Sequence, residues 1–411
     1  MPIRKFKMLY RELLTSELHN QRHDFQRFAE TQASDLTAYL HVLHELQQTS
    51  SAEIVEKLKR QENSGAIVSA ELDKHRTFSV SFGESWANHE EARSWARKIL
   101  ENRTTFAADA SQILPGRDIS LPVAAIQVGW FENPHSDVQP YEKNAQFIIL
   151  SPRDLLENQG EPMNPETRVG EMRFHAEVER VGKFLANKKG WQERGERMPL
   201  AFFDGTLLVS FSLPQTTLQQ SFLQAMVNLV RLSRETKVPM VGYVDRSYAR
   251  DLLNMLDAFD DKTTSEEQTL YDATILHSAT PELAQTLKFW GDRTCFCYSN
   301  RKGLSAFVDP HTEKSLVGFV YLQTTADSAP ARLDIPAWIY EENLLDEVLD
   351  TIRAECVIGL GYPYALETAD ATAVITARDR EIFLKALQEF AGREKLNFTV
   401  SRKSASKGRR R

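Results

Sequence analysis

The chain has 411 residues, 42% hydrophobic and 26% charged, the mix of a soluble globular protein with two or three domains or one elaborated domain. No apolar run approaches the roughly 20 residues that cross a bilayer, and the opening MPIRKFKMLYRELLTSEL has no apolar signal core, so the expectation is a cytoplasmic protein without a membrane span. A net charge of -7 does not advertise a nucleic-acid binder, but an acidic metal centre lowers the sum and DNA contact needs only a local basic surface.

In chain order, the first hundred residues read as a helical N-terminal region. Leu18, Phe25, Phe28, Leu36, Leu40, Leu43 and Leu46 recur at mostly helical spacings; 51–60 and 89–100 continue the texture, with a break across 65–82. His19/His23 and His41/His44 have metal-ligand spacing on one helix face, but nothing nearby completes a site, and they read as solvated or half-buried helix residues. From 104 the texture becomes mixed. TTFAADAS, LPVAAIQVGWF and AQFIIL read as strands, 151–168 as a loop, and EMRFHAEVERVGKFLA as a helix. PLAFFDGTLLVSFSL reads as strand, turn at Asp204-Gly205, and second strand. LQQSFLQAMVNLVRLSRE is an amphipathic helix, VPMVGYV a strand ending at Asp245, and RSYARDLLNMLDAF a helix. TCFCYS and LVGFVYLQT are strands, ENLLDEVLDTIRAECV a helix, and Thr376 with Asp379 opens a last helix like a capping box. This alternation predicts an α/β fold, with a basic, disordered tail over 396–411. Cys295, Cys297 and Cys356 are too few for a disulfide framework or a four-ligand zinc site, and read as buried thiols.

Asp109, Asp204 and Asp245 each end an apolar strand-like run. Strand ends of an open α/β sheet converge on a crevice, where carboxylates from neighbouring strands come close. Like charges that close call for a cation, and Mg2+ or Mn2+ prefers oxygen ligands. The competing reading is ordinary: Asp favours turns and helix caps, and Asp204-Gly205 is a hairpin signal. Spacing alone does not select Glu177, which stands beside Glu179 and Arg180 on a helix.

FAADAS at 106–111, PLAFFDGTLLVS at 199–210, VGYVDRS at 241–247, WGDRT at 290–294, RLDIPAW at 332–338 and GYPYALETAD at 361–370 resemble, in order and spacing, the motifs of the NurA nuclease family. The resemblance implies an RNase H-like core, a mixed sheet flanked by helices, in a domain over 101–395. It implies a Mn2+- or Mg2+-dependent DNA nuclease, a 5′–3′ exonuclease and single-strand endonuclease, acting in double-strand break repair. The implied partners are DNA, a HerA-type hexameric ATPase and a second copy of the chain. Residue by residue, Asp109, Glu177 and Asp204 match the family's metal ligands, and Tyr362 its active-site tyrosine. Glu179 is a possible substitute for Glu177. Asp370 stands where histidine is usual, and is expected as a further ligand. Ala110 follows Asp109 where glycine is usual, so a turn there has to avoid positive φ. At Asp245 many relatives carry a basic residue, so Asp245 reads equally as the cap of a helix beginning at Arg246.

The segment KFLANKKGWQERGER, between Glu177 and Asp204 in sequence, is expected near the centre. Lys188, Lys189 and Arg194 suit phosphates and Trp191 suits an unpaired base, against the alternative of a solvated loop. Two other functions stay open: a non-catalytic adaptor docking on an ATPase or DNA, and an RNase H-like nuclease acting on RNA.

Overall fold

The structure, a computed structural model, describes residues 10–59, 61, 63–116, 119–156, 164–209, 216–261, 269–281 and 283–399. Its N-terminal part holds α1 (Arg11–Asn20), α2 (Arg22–Gln48), α3 (Ser51–Leu58), β1 (Gly65–Val68), α4 (Glu71–His75), β2 (Ser79–Val80) and α5 (His89–Leu100). The expected break across 65–82 therefore contains two short strands. Both join the main sheet, β1 on β9 (Cys297–Asn300) and β2 on β8 (Arg293–Thr294), so this region is not purely helical.

From β3 the chain runs β3 (Thr105–Ile113), β4 (Ala124–Asn133), β5 (Glu142–Leu150), α6 (Pro152–Leu156), α7 (Pro165–Lys188), β6 (Leu200–Asp204), α8 (Thr217–Thr236), β7 (Met240–Val244), α9 (Asp251–Phe259) and α10 (Asp272–His277). After β8 and β9 come β10 (Val317–Leu322), β11 (Ala331–Pro336), α11 (Ala337–Glu341), α12 (Leu345–Ile358), α13 (Tyr364–Ala373) and α14 (Ala377–Arg393). The helix starts follow local chemistry. Asn164 caps α7 ahead of Pro165, and Thr216 and Thr376 close capping boxes with Gln219 and Asp379. Among the described residues no helix is long and apolar enough to cross a membrane.

The sheet has the order β1-β9-β10-β11-β7-β6-β3-β4-β5, with β8 on β10. β3, β4 and β5 form an antiparallel meander, and β6 and β7 lie parallel to β3. The order β5-β4-β3-β6-β7, with α7 crossing from β5 to β6, is the RNase H-like core. Its central strands are covered on both faces, which is why they read as unbroken apolar runs. Phe202 enters the core shared with Ala107, Tyr243, Leu349 and Leu366, below α12 and α13. Phe203 enters the opposite core with Phe106, Val181, Phe184 and Met226, below α7 and α8. Burying each ring contributes about 1.5–3 kcal/mol, so a one-residue slip of β6 is strongly disfavoured. A third core, around Leu43, Ile54, Leu256 and Phe319, seats α2, α3 and α9 against β1, β9 and β10. The three cysteines are free and buried.

Three local expectations are corrected. Asp204-Gly205 is not a hairpin turn: β6 has parallel partners on both sides, and no strand follows as far as Val209, where description stops until Thr216. Asp109 does not end its strand, because β3 continues to Ile113 through pairs with β4. Asp245 does not cap a helix at Arg246, since α9 begins at Asp251. At the C-terminus, Asn397 and Thr399 bond to Ser120; 400–411, most of the expected tail, lie outside the described residues.

Candidate active site

The site forms where β6 ends. β3 pairs with β6 only through Ala108↔Phe203, so beyond that level the β6-side edge of β3 is unpaired and a crevice opens. Asp109 and Asp204 stand at its lip. By strand alternation Asp109 shares the face of Ala107, and Asp204 that of Phe202, so both project toward α13. Gly205, at φ 122°, turns the chain away immediately after Asp204, a conformation that suits glycine.

α13 and the turn that precedes it bring Asp370 and Tyr362 to the same face. The helix can approach because Gly129 of β4, paired with Asp109, has no side chain: a Cβ there would meet the Ala373 nitrogen at 2.5 Å. Ser111 donates its hydroxyl to the Ala373 carbonyl, and Gln127 donates to the Thr372 carbonyl at 3.1 Å. At the other end of α13, the buried Glu355 accepts from the Ala365 amide at 2.9 Å. The Tyr362 hydroxyl donates to Asp204 Oδ1 at 3.5 Å, and its ring packs edge-on against Tyr243. Glu177 enters from α7, in the opposite layer, and is 5% exposed. Arg173, one turn earlier, lies 4.0 Å from Glu177 and donates to the Ala110 carbonyl at 2.8 Å, tying α7 to β3.

The electrostatics is that of a cluster short of positive charge. Burial, and then the charge of Asp109, raise the pKa of Glu177 to about 8; Arg173 opposes this and Asp204 adds to it. Burial also raises Asp109; the Ala110 amide lowers it, and Asp370 pushes it up again. Although much of Asp204 is open to solvent, packing around its carboxylate and the charges of Asp109 and Asp370 raise its pKa, against the Tyr362 hydroxyl. Four carboxylates from β3, β6, α7 and α13 thus influence one another, with Arg173 as the counter-charge to Asp109 and Glu177. Among the described residues, no three acidic, histidine or cysteine side chains are set closely enough to enclose an ion. The donor set nevertheless fits a hard divalent cation: it is all carboxylate oxygen, and its buried members carry a repulsion that a cation relieves.

The family model for the NurA domain matches residues 103–375. This chain belongs to the NurA family. Membership points to a nuclease, a hydrolase of phosphodiester bonds. None of the curated proteins matches the chain. Among solved structures, a NurA crystallised with manganese is similar at 10% identity, over 70% of this chain and 90% of its own, with a TM-score of 0.38. The catalytic domain of human endonuclease V is similar at 13% identity, over 73% of this chain and 94% of its own, with a TM-score of 0.32.

Of the residues matched to the NurA motifs, Asp109, Glu177, Asp204, Tyr362 and Asp370 come together. Ala110 needs no special backbone, because it continues β3 with negative φ. Asp245 is exposed, and its charge helps to raise the pKa of Tyr362. Glu179 pairs instead with Lys183 on an exposed face of α7. The basic segment is not near the centre. It precedes Leu200, at the opposite end of β6 from Asp204. There Trp191 packs into the cores and donates its indole N–H to the Lys237 carbonyl, Lys188 pairs with Glu132 at 2.9 Å, and Arg194 pairs with Glu196. Two contributors escaped sequence reasoning: Arg173, an ordinary arginine within the helix pattern, and Gly129, whose signal was a glycine inside an apolar strand.

Proposed function

We propose that the protein is a divalent-metal-dependent DNA nuclease whose reaction centre is the crevice of Asp109, Glu177, Asp204 and Asp370. The observation that carries the reading is the gathering of these carboxylates, from four separate elements, with so little compensating charge. These residues would hold Mn2+ or Mg2+, which supplies Lewis acidity toward the phosphate and lowers the pKa of water. The chain's own groups do the rest. Asp109 and Asp204 present oxygens from rigid strands, and Glu177 and Asp370 close the centre from two helices. Tyr362 orients the Asp204 carboxylate through its hydroxyl and stands ready to contact the scissile phosphate. In the reaction the water oxygen bonds to phosphorus and loses a proton, while the P–O ester bond breaks and its leaving oxygen gains one.

The test is purified protein on end-labelled single- and double-stranded DNA with Mn2+, Mg2+ or EDTA. Cutting with a metal and none in EDTA is expected; no cutting under any condition, with a partner ATPase present, overturns the reading. Matched RNA substrates decide between nucleic acids. Action as a 5′–3′ exonuclease and single-strand endonuclease, a role in double-strand break repair, homodimerisation and work with a HerA-type hexameric ATPase are proposed from family resemblance. Product sizing, gel filtration and co-elution with such an ATPase test them. A second reading, a non-catalytic adaptor, is favoured by the open setting of the carboxylates. Calorimetry showing no affinity for Mn2+ or Mg2+ would select it.

A further inference from the structure

The RLDIPAW segment runs through β11 into α11. Its Arg332 and Asp334 lie on β11, both almost without solvent contact. Asp334 pairs in register with Gly242 of β7. Gly242 has no Cβ because the turn after Asp204 presses on it: a Cβ there would meet the Gly205 carbonyl oxygen at 2.6 Å. Asp334 reaches that same turn. Its Oδ2 accepts the Leu207 amide at 3.1 Å and the Thr206 hydroxyl, while Oδ1 accepts from Arg332 Nε at 2.8 Å. Arg332 is held in turn by Asp251 at 2.6 Å. Thr206 Oγ1 also accepts the Leu208 amide at 3.1 Å, and on the other side the Gly205 amide donates to the Tyr243 carbonyl at 3.0 Å.

We propose that Asp334, fixed by Arg332, is a positioning residue for the Asp204 carboxylate, acting through the turn at residues 205–208. The physical need is clear. Among the described residues the side-chain hydrogen bond to Asp204 is the long one from Tyr362, so the aim of its carboxylate depends on the backbone that carries it. A buried carboxylate whose two oxygens are both engaged gives that backbone one favoured arrangement, because any other leaves buried polar groups unpaired. A displacement of about 1 Å in such a group can cost about 100-fold in rate.

The inference rests on the nuclease reading, and its test separates the two. Thr206 is exposed, so Thr206→Val should fold, and Thr206→Ser restores the hydroxyl. Amide exchange at Leu207, whose acceptor is Asp334 rather than Thr206, reports the clamp directly; calorimetry with Mn2+ and steady-state DNA cleavage report its consequence. In Thr206→Val we expect faster exchange at Leu207, weaker Mn2+ binding, and kcat down by about 10-fold with KM for DNA within about twofold. Thr206→Ser should return all three to wild-type values, and Asp334→Asn should resemble Thr206→Val. Unchanged Leu207 exchange in both Thr206→Val and Asp334→Asn overturns the clamp. Faster exchange with unchanged Mn2+ affinity and kcat overturns the positioning role. If the wild type neither binds Mn2+ nor cuts DNA, the nuclease reading fails and Leu207 exchange alone decides the clamp.

Discussion

Two regions of the molecule gather charge, and they treat it in opposite ways. Around Arg332, each carboxylate is partnered: Arg332 meets Asp334 and Asp251, Arg301 meets Asp251, and Asp272, its pKa raised to about 6 by burial and by Asp251, accepts two backbone amides and the Tyr321 hydroxyl. In the crevice, Asp109, Glu177, Asp204 and Asp370 share Arg173, at 4.0 Å from Glu177, and a 3.5 Å hydrogen bond from Tyr362. Matched charge is compatible with a stable core, whereas unmatched charge raises the free energy of the fold and persists where something else is meant to bind. Mutations should therefore separate the regions by which property they damage.

The largest effect is expected at Asp109. Asp109→Ala should lower DNA cleavage by at least about 10³-fold, roughly 4 kcal/mol of transition-state stabilisation, while leaving the melting temperature unchanged or slightly raised. Cleavage rates beside a thermal melt check both halves; normal cutting by this variant would remove the crevice from the mechanism. Arg332→Met tests the opposite pole. It strips the buried Asp334 and Asp251 of their shared partner and should destabilise the protein by about 3–5 kcal/mol in urea unfolding. A loss below about 1 kcal/mol would mean that the two regions do not differ as argued.

The contrast also shows which parts of the molecule were legible in sequence. FAAD, LAFFD and VGYV announced central strands because both faces of the sheet are covered and each run had to be apolar throughout. The end of β6 at Asp204 was visible for the same reason. Its meaning was not, since Asp-Gly is a local signal and cannot reveal that both neighbours are parallel strands supplied from 105–108 and 240–243. Asp109 was misjudged as a strand end because its apolar run stops there, although pairing with β4 carries the strand on to Ile113. Glu177 could not be singled out by spacing, as its distinction is burial beside Asp109. The basic segment misled through sequence proximity. From Glu177 to Lys188 the helix climbs 11 residues, about 16 Å at 1.5 Å per residue, and delivers the loop to the far end of the sheet.

A smaller effect distinguishes the regions by pH. With folded pKa about 8 against an ordinary 4.5, Glu177 binds its proton more tightly in the native state than in the unfolded chain. Its contribution is therefore intact below pH 4.5, is lost progressively as pH rises toward 8, and is constant above. In EDTA, stability should fall by about 2–4 kcal/mol across that window, with Asp109 and Asp204 adding in the same direction. Glu177→Gln should flatten most of the fall, and Mn2+ should oppose it at the alkaline end. Chemical unfolding at pH 5 and pH 8 provides the measurement, and a wild type as stable in EDTA at pH 8 as at pH 5 would show that the crevice charge is compensated after all.

The smallest effect is expected at the far end of β6. Lys188 is taken up by Glu132, Arg194 by Glu196, and Trp191 by the Lys237 carbonyl and the surrounding cores, which leaves the exposed Lys189 as the best candidate in the segment for a phosphate contact. An exposed lysine remote from the reaction centre adds little to binding there, because solvent and salt screen its charge. Lys189→Ala should therefore change affinity for single-stranded DNA by less than about twofold and leave the salt dependence of binding as it was. Fluorescence anisotropy at two salt concentrations reads both quantities. A loss of tenfold or more, with the salt slope reduced by about one, would mean that DNA runs the whole length of β6. In that case the two ends of the sheet would form one surface, and the division between a reactive crevice and a structural remainder would have to be redrawn along the DNA path.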